Sequence, residues 1–392
     1  MIGLRRESQM KVVPQGVLWY NSRGVLRRGS AAQANVRTER TKEMLLEKTV
    51  AEIVPLDQAA MDAAWRHWDS IAKPLRSLGK LEKAVVQMAG IQGDSKVDIA
   101  KKALLVLCAD NGVVEEGVTQ TGQEVTAQVA ENFLQEKATA GILCRKTGAD
   151  IFPVDMGIYR DTTIRNCKIA YGTNNMTKGP AMSREQAVQA LETGIRLAME
   201  KKEEGYKILA TGEMGIGNTT TSSAMASVFL GRPAEELTGR GAGLSSEGLN
   251  RKINAIRQAI LRNQPDPEDP VDVLAKVGGF DIAGITGMFL GGAVYNVPIV
   301  IDGFISAVAA LTAKKICKES IFYMIPSHVS KEPAGSLILD TLGLEAPLHC
   351  DMCLGEGTGA AVLFPILDLA DTVYNTMSTF HDIKMEEYKP LS

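Results

Sequence analysis

Glu356 is the one charge in LGEGTGA (354–360), held between glycines with no histidine, lysine or cysteine inside the stretch. Glycines let a backbone turn tightly and approach a ligand closely, and the following TGAAVLFPILDLA has the apolar spacing of a helix entered through Thr358. An acid at such a strand-to-helix turn can cap the helix or complement its positive end. It can also face a ligand, and the rest of the chain has to decide between the two. GEMGIGNT (212–219) has the spacing of a phosphate loop, G-x-x-x-x-G-K-T, with Asn218 in place of the lysine. Without that cation the loop is unsuited to the outer phosphates of a nucleoside triphosphate, whereas amides exposed before a helix still suit one phosphate monoester. Glu213, inside the same loop, also argues against stacked phosphates. TGRGAGLSSEGLNRKINAI (238–256) places Gly239, Gly241 and Gly243 ahead of a helix carrying Lys252. A flexible loop and a solvated lysine is the bland reading; two glycine turns and one cation together favour a monophosphate site. In GGFDIAGITGMFLGGA (278–293) the near-helical glycine spacing indicates close helix packing.

These turns must be carried by regular elements. KALLVLCADNGV ends at Asp110, ADIFPVDMGI at Asp155, and YKILATGEMG passes through Glu213; VPIVIDGF turns at Asp302 and SIFYMIPSHVS at Ser327. Each is an apolar run leading through a polar or glycine turn into helical periodicity, the signature of alternating β and α units. Continuous apolar strands indicate a parallel sheet covered on both faces. Ligands of such sheets bind beyond the carboxyl ends of the strands, which puts Asp110, Glu213, Asp302 and Glu356 along one edge. Residues 44–98 and those from 366 to 392 read as helices without strands and are expected to form a small helical domain beside an α/β domain over 99–365.

The 392 residues are 45% hydrophobic with net charge −3, enough to bury a large core. No apolar tract approaches a membrane span, and the three Trp are not interleaved with basic clusters, so neither membrane nor nucleic acid is an expected partner. Residues 1–40 hold eight Lys or Arg against two acids, leaving 35 against 44, a net −9, for the remainder. That opening stretch lacks a signal peptide's apolar segment and reads, over 1–43, as an extension outside the fold, with the helical pattern beginning at Met44. Six scattered cysteines fit a reduced cytoplasmic chain. His349, Cys350 and Cys353 in HCDMC could ligate a metal, but a structural zinc site needs a fourth ligand and no second pair is present, so no metal is expected.

Seven ordered blocks, ADNGVVEEGVT…EVTAQ, GEMGIGNTTTSSA, GRGAG, GGFDIAG, VIDGFISAVAAL, PSHVSKEP and LGEGTGAA, resemble the nicotinate-nucleotide:dimethylbenzimidazole phosphoribosyltransferases, from about Met44 to the end. The resemblance implies a Rossmann-like parallel α/β fold with a small helical domain, usually a homodimer. It implies transfer of 5-phosphoribose from nicotinate mononucleotide to an aromatic lower-ligand base of cobamides, with inversion and without metal or cofactor. By the same matching Glu356 is the general base and Glu213 a second carboxylate beside the ribose. Gly215, Gly217, Gly241 and Lys252 hold the phosphate, and Ser330, Asp302 and Asp281 lie at the nicotinate and ribose. Thr119, Gln123, Met214 and Leu354 surround the acceptor base. Two segments depart from the family pattern: TQTGQEV (119–125) lacks an aromatic to stack on a benzimidazole, and KPLRSLGKLE (73–82) differs from K-P-P-G-S-L-G. They leave open whether the acceptor is a benzimidazole, a phenol or a purine, and whether the chain pairs with itself or with a paralogue. A catalytically silent subunit of a heteromeric transferase is the alternative, against which both Glu213 and Glu356 are retained. A triphosphatase is disfavoured by Asn218.

Overall fold

The computed structural model describes residues 45–389, so the extension expected over 1–43 lies outside the described residues. Six parallel strands form one sheet in the order β3-β2-β1-β4-β5-β6. They are β1 (Lys102–Ala109), β2 (Ala149–Gly157), β3 (Arg165–Asn166), β4 (Ile208–Met214), β5 (Ile299–Ile301) and β6 (Met324–Pro326). Every residue of β1 is buried, as expected of a strand covered on both faces. The chain winds outward from β1 to β3, returns to β4 beside β1, and winds out again to β6. The β1/β4 junction is therefore a topological switch point, where the loops diverge and open a crevice. SIFY, read from sequence as the start of a strand, is a 3-10 helix (Lys318–Tyr323); only Met324–Pro326 pairs, because β5 offers three residues to pair with.

The helices follow in chain order. α1 (Gln58–Ser70) and α2 (Lys80–Gln92) precede the sheet, and α3 (Glu124–Leu134) and α4 (Thr139–Thr147) connect β1 to β2. α5 (Arg184–Glu203) opens with a capping box in which Ser183 and Gln186 satisfy each other's backbone amides. α6 (Asn218–Leu230) and α7 (Ala234–Leu237) follow β4; α8 (Ser246–Asn263), α9 (Pro270–Val277) and α10 (Phe280–Val294) lead to β5. α11 (Phe304–Ile316) leaves β5, α12 (Gly335–Leu342) follows β6, and α13 (Thr358–Thr376) ends the described core.

α10 is buried from Phe280 to Ala293, and its glycines let it lie against α5: a methyl on Gly287 would stand 1.9 Å from the Leu191 carbonyl oxygen. Close helix packing is thus what the glycine spacing encodes. Trp68 of α1, Val85 and Met88 of α2, and Leu363, Phe364 and Tyr374 of α13 share one apolar cluster with Leu104, Val106 and Cys108 of β1. Residue 366 lies in the middle of α13, which runs unbroken from the GEGTG turn into this cluster. In KPLRSLGKLE, Lys73 and Glu82 form a buried ion pair at 2.6 Å, and the Leu78 amide donates to the same carboxylate oxygen at 3.0 Å.

Candidate active site

The crevice beyond β1 and β4 holds a cavity of about 350 Å³. Its floor is the turn from β4 into α6, Glu213–Thr219. Its other walls come from the Val118–Thr121 loop and α3, from Arg240–Leu244 and Lys252, from Asp302–Ser306, from His328, Ser330 and Glu332, and from Cys353–Glu356.

The GEG turn has an uncommon backbone. Gly355, Glu356 and Gly357 have φ of +85°, +62° and +84°, three successive residues in the left-handed region, where a glutamate is strained and a glycine is not. Gly357 caps α13 without a side chain. The cap is instead supplied from β5: Asp302 Oδ2 accepts the Gly357 amide at 3.0 Å, and Oδ1 accepts those of Gly359 at 2.7 Å and Ala360 at 3.2 Å. A carboxylate at a helix N-terminus is favoured by the exposed amides and by the helix dipole. Burial pushes the Asp302 carboxyl up while neighbouring His328 pulls it down. So the acid that fixes this helix is Asp302, which leaves Glu356 uncommitted.

Glu356 is half-buried at the cavity edge, and its Oε2 is buried without a hydrogen-bond partner among the described residues. Burial raises its pKa, against which the Ala140 amide at the start of α4 stabilises the anion; nearby Asp302 raises it further. A basic carboxylate with a free oxygen can take a proton from a ligand.

Glu213 is buried at the end of β4. One oxygen accepts the Glu356 amide at 3.4 Å, and the other accepts from Asn218 Nδ2, which also donates to Asp281 Oδ2 at 3.0 Å. Thus Asn218, standing where a phosphate loop has lysine, bridges two acids. Burial first, and the Asp281 charge second, lift Glu213 to about 8, so near neutral pH it is largely the uncharged acid. Asp281 is fully buried and raised by that burial to about 6. It sits behind Asn218 and does not line the cavity, unlike the site position expected for it.

On the phosphate side, Lys252 is buried; its ammonium donates to Thr219 Oγ1 at 2.8 Å and the Gly239 carbonyl at 3.1 Å. Burial lowers it to about 8, and Glu332 opposes the shift. It meets Gly241 and the Gly215–Thr219 turn at one end of the cavity, where the N-terminus of α6 points. Glycine amides, a helix end and an ammonium make a site for one phosphate.

Met214, Leu354 and Thr119, which the family resemblance placed around the acceptor, line the cavity together with Val118, Val125 and Val129. Val125 and Val129 were overlooked; their spacing of four on α3 places both on one helix face. Gln123 is half-buried, turns to the Asn111 carbonyl at 3.3 Å, and does not line the cavity. His328 was also missed. It stands in the PSHVS turn after β6, with no spacing signal to single it out. His349, Cys350 and Cys353 are exposed, and among the described residues no group of three or more His, Cys, Asp or Glu could hold a metal ion. No described helix is long and apolar enough to cross a membrane.

A phosphoribosyltransferase family model matches residues 53–384. The nicotinate-nucleotide–dimethylbenzimidazole phosphoribosyltransferase of Ruminiclostridium cellulolyticum is 49% identical over 351 residues, covering 89% of this chain and all of that protein. The chain belongs to the nicotinate-nucleotide:dimethylbenzimidazole phosphoribosyltransferase family. A protein of the same name from Acetivibrio thermocellus is 46% identical over 349 residues, covering 88% of this chain and 99% of that one. A crystal structure of CobT from Thermus thermophilus superposes with a TM-score of 0.80 at 36% identity, over 84% of this chain and 99% of that one. The family assignment and this α/β fold agree, and the Glu356 turn, the glycine turns and Lys252 of this chain line a common cavity.

Proposed function

We propose that this chain transfers 5-phosphoribose from nicotinate mononucleotide to dimethylbenzimidazole or a related aromatic base, forming an α-ribotide for cobamide synthesis and releasing nicotinate. The observation that carries the reading is the free carboxylate oxygen of Glu356 at the edge of a cavity with an apolar wall on one side and a phosphate-type site on the other.

In the reaction, one ring nitrogen of the neutral base attacks C1′ of the ribose from the face opposite nicotinate. The C1′–N bond breaks, its electron pair returns to the pyridine nitrogen, and the configuration inverts. The pyridine is cationic while bonded, so it leaves without a general acid. The attacking benzimidazole gains positive charge and loses its remaining N–H proton to Glu356; a phenol would lose its hydroxyl proton to the same group. Positioned proton transfer contributes about 10²- to 10⁴-fold, and alignment of the two substrates supplies much of the remainder.

Glu213, as a neutral acid, hydrogen-bonds a ribose hydroxyl. Lys252 and the amides of Gly215, Gly217 and Gly241 hold the 5′-phosphate. Asp302 fixes the turn that carries Glu356, and Asp281 acts through Asn218 on Glu213, so both are positioning residues. Ser330 faces nicotinate, and Met214, Leu354 and Thr119, with Val125 and Val129, enclose the acceptor. Val125, which closes TQTGQEV, and Val129 one turn further along α3 supply apolar contact where that segment has no aromatic. The proposed setting is the cytoplasm, with the chain paired with itself or a paralogue; light scattering of the purified chain measures the pairing.

The test is to mix the chain with nicotinate mononucleotide and dimethylbenzimidazole, follow free nicotinate by chromatography, and weigh the ribotide by mass spectrometry. Nicotinate release with a product of the α-ribotide mass is expected. No release with any benzimidazole, phenol or purine would sink the reading in favour of a silent subunit.

A further inference from the structure

Asp110 follows the last residue of β1 at the switch point, on the edge where Glu213 and Glu356 meet the cavity, yet it is fully buried and takes no part in the cavity lining. Its backbone amide donates to the Gly157 carbonyl at 2.9 Å and its carbonyl accepts the Thr173 amide at 3.0 Å, which fastens the main chain to the end of β2 and to the segment after β3. The side chain is fastened as well. Oδ2 accepts the Tyr159 amide at 2.9 Å, and Oδ1 accepts the Thr126 hydroxyl at 2.6 Å. Burial raises this carboxyl to about 6, against which Thr126, Tyr159 and Lys168 stabilise the anion, so near neutral pH it is largely ionised.

An ionised carboxylate only accepts, so Thr126 Oγ1 gives its proton to Asp110 and keeps its lone pairs for another donor. That donor is the Ile216 amide, at 3.1 Å. Ile216 stands between Gly215 and Gly217, in the turn whose amides face the phosphate end of the cavity. Thr126, also fully buried, lies in the first turn of α3 between Val125 and Val129, which line the apolar wall. One hydroxyl therefore joins the helix on the acceptor side to the turn on the phosphate side, and the acid that orients it is held through backbone and side chain alike.

We propose that Thr126 is a positioning residue for the transfer: anchored by Asp110, it sets the separation of the phosphate turn from the α3 wall and so fixes how the ribose carbon meets the incoming ring. Each substrate bound alone needs one side of the cavity. Reaction needs both sides at the right separation, and a misplacement of about 1 Å can cost about 100-fold in rate. The inference rests on the phosphoribosyl transfer proposed above and names what keeps its two substrates in register.

The experiment compares the wild-type chain with Thr126→Val, which keeps the shape and loses the hydroxyl, and Thr126→Ser, which keeps the hydroxyl. Calorimetric melting sets an assay temperature at which every variant is folded. Thr126→Val should lower kcat about 10- to 100-fold while KM for nicotinate mononucleotide and for dimethylbenzimidazole each stays within about threefold, and Thr126→Ser should keep kcat within about threefold of the wild type. If the valine variant does not fold, Thr126→Cys, whose thiol is a weak donor and acceptor in the same place, should show the same split on a smaller scale. A titration arm needs no turnover: the α-ribotide of dimethylbenzimidazole spans both sides, whereas ribose 5-phosphate and dimethylbenzimidazole each occupy one. Thr126→Val should weaken the ribotide about tenfold and each half less than about threefold. Unchanged kcat in Thr126→Val, equal weakening of the ribotide and its halves, or failure of serine to rescue overturns the proposal. Absence of turnover in the wild type with the selective ribotide loss present would defeat the transferase reading while sustaining the register. Absence of that selective loss would defeat the register.

Discussion

Replacing Glu356 with glycine should cost activity and leave the fold as stable as before, or more so. The backbone at 356 has φ +62°, a conformation that costs a residue with a Cβ about 1 to 2 kcal/mol and costs glycine little. Glycine loses more freedom on folding, about 0.5 to 1 kcal/mol, which offsets part of that gain. The substitution also removes a half-buried carboxyl whose Oε2 lacks a partner. The net change lies between neutral and a stabilisation of about 1.5 kcal/mol. A chain of this size has an unfolding entropy of roughly 0.7 kcal/mol per degree, so Tm should be unchanged or rise by about 2 °C. Loss of the general base should lower kcat about 10²- to 10⁴-fold. Glu356→Gln is the control: it keeps the strained backbone, so Tm should match the wild type while kcat falls similarly. Calorimetric melting and nicotinate release measured on the same preparations decide the matter. A fall in Tm of more than about 3 °C in Glu356→Gly, or a kcat within tenfold of the wild type in either variant, would refute the claim that Glu356 is retained for chemistry against its structural cost.

Three other outcomes are expected. Lys252, lowered to about 8 by burial, loses its charge as pH rises through that value, so KM for nicotinate mononucleotide should climb above about pH 8; Lys252→Met should raise KM about 10- to 100-fold at pH 7 and abolish the climb, as read from initial rates across pH 6 to 9.5. Glu213 has a folded pKa of about 8 against an ordinary 4.5, so between those values the native state holds a proton that the unfolded chain releases, and stability falls as pH rises. Glu213→Gln keeps a neutral side chain of the same shape and should flatten the decline in Tm between pH 5 and 8, whereas an unchanged slope would show that other groups cause it. Asp302→Ala leaves the amides of Gly357, Gly359 and Ala360 without their acceptor, which should cost at least about 3 kcal/mol and speed hydrogen exchange over 355–361 before any other segment.

Strands β1 and β4 were legible because a strand buried on both faces is almost wholly apolar, and each of these runs stops at a polar turn; β2, exposed at Asp150, kept enough of the pattern from Ile151 to Val154 to be read the same way. Glycine turns and Lys252 were legible for a related reason: tight approach to a phosphate leaves few choices of residue. Other features arise from long-range contacts that no local pattern encodes. The capping of α13 by Asp302 joins residues 55 apart or more, so sequence alone suggested Glu356 itself as the cap. Asp281 and Glu213 look alike in sequence, yet one lines the cavity and the other lies behind Asn218, since only the packing of α10 against the sheet decides which acid faces inward. Gln123 and Val125 are two residues apart on one segment, and the helix turn at Glu124 sends the valine inward and the amide to Asn111. His328 has meaning only beside Gly303 and Ser327, which reach it from the end of β5 and from the turn it shares after β6.

Asp302 and Gly303 are adjacent, and each stands at the N-terminus of a different helix, α13 and α11. Asp302 ties down the turn bearing Glu356, while Gly303 opens α11 onto the same cavity. A shift of this dipeptide by a fraction of an ångström would move both helix ends together. Changes at 302–304 would therefore disturb the Glu356 turn and the α11 wall of the cavity at once. The α3 face and the 353–354 rim line the same cavity and can be reshaped without touching that shared joint.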